Sequence, residues 1–245
     1  MGAEGERAPA FYALRPGGWR DYVTLLHLPY SAWHLSYVAI GAALAPDLSA
    51  RRVGFVLAAF ALALGVGAHA LDELRGRPLG TAIPARVLAL LAAASIAAAV
   101  ALGAYVAVTD VVWVAPTIPV GAFLVLAYNL ELFGGRFHGD LWFAAAWGAF
   151  PLLTGYVAMA GALAPEALAG AVFAFALSLA QRRLSTRARH VRRRVSALRC
   201  ELVAPDGTVE TLSRERLIEP EEAALRLLTL ATVALAAALV VARLA

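Results

Sequence analysis

The stretch GVGAHALDELRGRPLGTAIP, residues 65–84, joins two long apolar runs and decides how the chain is read. It places His69, Asp72 and Glu73 within about one helical turn. Positions three and four apart share a helix face, so both carboxylates lie beside His69. Ionisable groups at the end of an apolar helix are costly to hold there, and a functional role is the first reading of them. Gly76, Arg77 and Pro78 then end the helix and turn the chain toward the next apolar run.

Outward from that stretch, the composition points to a lipid environment. The 245 residues are 61% hydrophobic and 16% charged, with a mean hydropathy of +0.72. A soluble domain is about 45–50% apolar and about 25% charged. The reading is an integral membrane protein, with no nucleic-acid partner expected. The single cysteine, Cys200, excludes an intrachain disulfide and a cysteine-rich metal site. Every basic residue is arginine and none is lysine. The opening MGAEGERAPAFYALRPGGWR is polar and mixed in charge, so no cleavable signal peptide is expected.

Seven apolar segments come close to the ~20 residues needed to cross the hydrocarbon layer. They run from about Tyr22 to Ala45, Val53 to His69, Ala85 to Val108, Val111 to Leu132, Leu141 to Leu163, Pro165 to Ala180 and Ala223 to Leu244. The chain thus divides into an approach segment (1–20), a helical bundle with an arginine-rich end on the sixth helix (21–199), a polar loop (200–222) and a last span (223–245). In the loop, CELVAPDGTVETLS alternates apolar and polar around Asp206-Gly207, which predicts a hairpin. The acids of Glu219-Pro220-Glu221-Glu222 suit the start of the last helix.

Arginine asymmetry sets the expected orientation. With the N-terminus in the cytosol, the cytosolic pieces hold Arg7, Arg15 and Arg20, then Arg75, Arg77 and Arg86, then Arg136, then the cluster from Arg182 to Arg216. The outer loops hold only Arg51 and Arg52, with Arg243 at the far end. The expectation is a prokaryotic cell-membrane protein with its C-terminus outside. The second, fourth and sixth spans then all end on the cytosolic side, where every polar cluster lies.

Those clusters are the candidate site. His69, Asp72 and Glu73 suit acid–base work or a divalent cation; the alternative is that the acids pair with Arg75 and Arg77 at the headgroups. Glu131, His138 and Asp140 flank the turn between the fourth and fifth spans, where Asp140 also suits a helix cap. Tyr128 and Asn129 close the fourth span, and Asn is a common interhelical polar contact. Arg182, Arg183 and Arg187, nearest the bundle, suit a phosphate clamp. Attraction to anionic headgroups, together with the setting of topology, is the reading for most of that run. Arg77 and Arg136 complete the candidate substrate-binding set.

LRPGGWRDYVTLLHLPYSAWHLSYVAIGAALA, the HALDELRGRPLG region and YNLELFGGRFHGDLWFAAAWGAFPLLTGY together resemble the UbiA family of intramembrane prenyltransferases, over most of Leu14 to Ala180. The resemblance implies an all-helical bundle around a cavity open to the cytosol. It also implies transfer of a prenyl group from a prenyl diphosphate held through Mg²⁺ by two aspartate-rich motifs. The first family motif reads N-D-x-x-D-x-x-x-D; here Asp72 and Glu73 stand in its place as the implied Mg²⁺ ligands. The second is replaced by QRRLSTRARHVRRRV, which has no carboxylate. The expected function is prenyl transfer to an aromatic or lipid acceptor. The alternative is a non-catalytic bundle that binds a lipid phosphate or a partner protein.

Overall fold

In lipid, an apolar run satisfies its backbone groups only as a helix or a closed barrel, and these alanine- and leucine-rich runs become helices. The computed structural model describes residues 8–245; Arg7, expected on the cytosolic side, lies outside the described residues. In chain order the helices are α1 (Trp19–Leu25), α2 (Leu28–Leu44), α3 (Ala50–Gly76), α4 (Ala85–Thr109), α5 (Val112–Asn129), α6 (Asp140–Ala160), α7 (Pro165–Arg194) and α8 (Arg214–Leu244). The last six are long and apolar enough to cross a membrane, which marks an integral membrane protein.

The first expected span divides in two. His27 takes a left-handed conformation (φ 47°, ψ 45°) and breaks the chain between α1 and α2. The remaining 17-residue α2 lies at the centre of the bundle, with Trp33, Tyr37 and Val38 fully buried. It runs parallel to α8 from end to end. Leu225 packs with Trp33 and Tyr37 near one end, and the Arg243 guanidinium donates to the Ala45 carbonyl at 3.0 Å at the other. Its crossing with α6 is made by backbone. A Cβ on Gly41 would run into the Leu152 carbonyl, and one on Gly155 into the Val38 carbonyl. Small residues allow this approach between membrane helices.

Two helices carry a π segment, Ala61–Ala68 in α3 and Ala145–Ala149 in α6. Helix α3 also continues past His69 through HALDELRG and ends at Arg77, in the left-handed region at φ 48°.

The expected hairpin forms from β1 (Glu201–Val203) and β2 (Val209–Thr211), antiparallel with Val203 opposite Val209. Asp206 sits in its turn and accepts from the Thr208 amide at 2.9 Å, which holds its carboxyl below the ordinary value. The rest of the polar loop departs from expectation. Helix α8 begins at Arg214, because the Ser213 hydroxyl caps it by accepting from the Arg216 amide at 3.2 Å. Glu221 and Glu222 are therefore not at a helix start. They sit further along α8 and hold α7: Arg187 meets Glu221 at 3.0 Å, and Arg192 grips Glu222 through two contacts of 2.5 and 2.8 Å.

Candidate functional site at the arginine-rich end

The two adjacent acids of α3 point to different tasks. Glu73 is fully buried, and both its oxygens are taken: one accepts from the Leu79 amide at 3.0 Å, the other from the Thr81 amide at 2.8 Å and hydroxyl at 2.9 Å. Arg77 reaches into the same loop and donates to the Ile83 carbonyl at 2.6 Å and the Thr81 carbonyl at 3.1 Å. From α1, the buried Asp21 accepts from the Gly17 amide at 2.8 Å and the Ala82 amide at 2.9 Å. The loop between α3 and α4 is thus pinned by two carboxylates and a guanidinium. Glu73, expected as a catalytic and metal-binding group, and Arg77, expected on substrate, hold the loop instead. Replacing Glu73 by Gln puts an amide donor where the loop presents donors, and leaves at least one of them unpaired. The expected cost is about 2–3 kcal/mol, read as a lowered apparent Tm in detergent. An unchanged Tm would show that the loop does not depend on this carboxylate.

Asp72 is different. It is half-buried and, among the described residues, makes no hydrogen bond or ion pair. The titratable groups that bear on its carboxylate are His138, Arg182, Arg189 and Arg193. The alternative pairing of these acids with Arg75 and Arg77 does not form, since Arg75 meets Glu131 at 2.9 Å.

The walls beside Asp72 are aromatic. The rings of His27 and His69 stack at 4.0 Å with 15° between planes. His69 Nδ1 lies 3.1 Å from the Gly65 carbonyl oxygen, in the first π segment. Deeper in, His34 Nδ1 lies 2.7 Å from the Trp147 carbonyl oxygen, in the second. A carbonyl only accepts, so both imidazoles carry a proton on Nδ1. The Tyr12 hydroxyl lies 3.0 Å from His27 Nδ1. Burial pushes the Tyr12 phenol above its ordinary value, so the hydroxyl stays protonated. On the other side Tyr128 and His138 stack at 4.4 Å, His138 Nδ1 donates to the Tyr128 carbonyl at 2.9 Å, and the buried Tyr128 hydroxyl has no partner among the described residues.

Arg182 completes this side. It contacts Asp140 at 3.2 Å and lies 5.3 Å over the Phe143 ring. Beneath this cluster of side chains an apolar crevice of about 90 Å³ runs between α3, α4, α5 and α6. Trp147 joins the two: it lines the crevice, and its ring is 5.0 Å from that of Tyr128.

Of the residues expected from sequence, His69, Asp72, Tyr128, His138, Asp140 and Arg182 come together. The others do not. Asn129 is buried and donates to the Val125 carbonyl at 2.7 Å within α5; Glu131 pairs with Arg75. Arg136 and Arg183 are exposed, and Arg187 turns to Glu221. Sequence reading missed Tyr12, His27, Arg189 and Arg193. The arginines carried a signal, because Arg182, Arg189 and Arg193 are seven and four apart and form one stripe on α7.

The recess does not fit the paired-carboxylate Mg²⁺ site that the resemblance implies. Glu73 is saturated by the loop, and among the described residues no three His, Cys, Asp or Glu side chains gather to hold a metal ion. Compared with known proteins, the chain matches no family model, no curated protein and no solved structure.

Proposed function

We propose that this bundle binds a prenyl diphosphate, or a lipid phosphate of similar charge, in the recess beside Asp72. The stripe of Arg182, Arg189 and Arg193 on one face of α7 carries the reading. These three cations are set against two carboxylates, Asp72 and Asp140, which leaves one positive charge in excess for an anion. Guanidinium groups bind phosphate oxygens through paired donors, and the apolar bundle around them accommodates a lipid tail. The resemblance to the UbiA prenyltransferases supports the same ligand class.

The reading includes orientation. Seven crossings, counting α2, put the N-terminus and the recess on the cytosolic side and the C-terminus outside a prokaryotic cell membrane. A reporter fused after Ala245 scores as external on this account, and a cytosolic score contradicts it.

Binding is tested with protein in lipid nanodiscs, comparing labelled farnesyl diphosphate with farnesol, with Mg²⁺ and with chelator. The diphosphate binds, the alcohol does not, and chelation leaves most of the affinity, because arginines rather than a metal hold the phosphate. Equal binding of alcohol and diphosphate contradicts the reading.

A second reading, prenyl transfer, is favoured by the carboxylate of Asp72, which has no partner among the described residues. Breaking the bond between the prenyl carbon and the diphosphate oxygen leaves an allylic cation and an anionic leaving group. The arginines stabilise the leaving group and Asp72 the cation; the acceptor then bonds to the prenyl carbon and loses a proton. In that case Asp72→Asn cuts turnover by well over tenfold, more than ~1.4 kcal/mol in barrier, with binding and Tm retained. Absence of turnover across aromatic and lipid acceptors leaves the binding reading alone.

A further inference from the structure

We propose that residues 8–14 form a strap that closes the recess and is released when the anionic ligand binds; this rests on the binding reading above. The strap lies across the arginine-rich end of α2, α7 and α8, yet belongs to no helix or strand. Side chains supply most of its attachment to the bundle. The Arg193 Nε donates to the Pro9 carbonyl at 3.1 Å, and the Tyr12 hydroxyl pairs with His27 Nδ1 at 3.0 Å. The Leu14 amide donates to the Thr24 hydroxyl at 3.0 Å. Phe11 sits 5.0 Å beneath the Arg226 guanidinium and meets Tyr30 edge-on at 6.2 Å. These contacts bury Ala10 to 6% exposure.

One of the ties uses a group that the ligand needs, and a second lies beside the ligand's other contacts. Arg193 gives its Nε to a neutral carbonyl, whereas a phosphate oxygen accepts a charge-assisted and stronger bond. Tyr12 covers His27, the outer ring of the histidine stack, and stands close enough to Arg189, Arg193 and Asp72 to share their field. Beneath the strap is a small hollow lined by Tyr12, Tyr30, Ser185, Arg189, Arg192 and Glu222. A phosphate approaching Arg189 and Arg193 therefore competes with Pro9 for Arg193. A strap held by a few separate side-chain contacts is the kind of segment that opens at low free energy.

The test uses full-length protein in nanodiscs with Cys200→Ser and Ala10→Cys, and follows the rate of labelling by a water-soluble maleimide. Labelling is slow without ligand. Farnesyl diphosphate accelerates it at least fivefold, and farnesol does not. Arg193→Gln accelerates it without ligand, and so does Tyr12→Phe, which removes one hydroxyl and keeps the ring. Because Tyr12→Phe leaves the three arginines in place, it also binds farnesyl diphosphate about threefold more tightly. If labelled farnesyl diphosphate binds while the maleimide rate stays constant, the strap is overturned and the binding reading stands. If the diphosphate does not bind at all, both fall. Rapid labelling without ligand in the otherwise unaltered chain also overturns the strap.

Discussion

Exchanging Arg189 and Arg193 together for glutamine is expected to weaken farnesyl diphosphate binding by about a hundredfold. A hydrogen bond to a charged group contributes about 1.5–3 kcal/mol, and each ~1.4 kcal/mol is tenfold in affinity. Both arginines are only half-buried, so the lower end of that range applies to each. The control is a neighbouring, exposed face of α7. Arg183 and Arg194 are exposed and lie outside the recess, so Arg183→Gln with Arg194→Gln removes the same charge and leaves affinity nearly unchanged. An equal loss from both pairs would mean that the ligand is drawn by the overall charge of the helix end, with no defined clamp.

The second large effect belongs to the crossing of α2 and α6. Gly155→Ala adds one methyl group, directly against the Val38 carbonyl of the neighbouring helix. Overpacking a core typically costs about 1–3 kcal/mol when side chains can move aside. Here the obstacle is backbone on a fully buried helix, and relief requires displacing α2 or α6. The expected loss exceeds about 3 kcal/mol, seen as a large fall in apparent Tm or a failure to purify as one species. Gly54→Ala serves as the matched control, because its Cβ would meet nothing within 4 Å. It should be neutral or slightly stabilising, as alanine is the better helix former. Equal Tm for the two variants would contradict the close crossing.

The bundle was legible because long apolar runs leave the chain one choice of backbone. The runs at Ala85 and Val111 give helices within a few residues of their expected bounds, whereas the one at Pro165 starts where expected but continues through the arginines to Arg194. Where the outcome depended on packing, local pattern gave less. Nothing in HALDELRG marks Glu73 as the acid that folds back on its loop and Asp72 as the one without a partner among the described residues, since that depends on the distant amides of Leu79 and Thr81. The π segments were equally hidden, because the histidines that use their carbonyls include one on another helix. The start of α8 was misread for a simpler reason. The acids at Glu219 to Glu222 outweighed Ser213, and a hydroxyl cap proved the stronger signal. The arginine stripe was legible through helical spacing. Arg183 and Arg187 were chosen for nearness to the apolar run, while helical spacing from Arg182 leads to Arg189 and Arg193. Tyr12 and His27 lay in a segment read as an approach and in a span read as continuous, so their meeting at the recess had no sequence signature.

The most direct test of the central claim is a structure of the protein with farnesyl diphosphate in a lipid nanodisc. The account predicts diphosphate density within about 3 Å of the guanidinium groups of Arg189 and Arg193, with Arg182 and Asp72 alongside and Pro9 displaced from Arg193. Diphosphate density instead on the exposed face of α7, beside Arg183 and Arg194, or a recess still closed with Arg193 on Pro9 at saturating ligand, would contradict it.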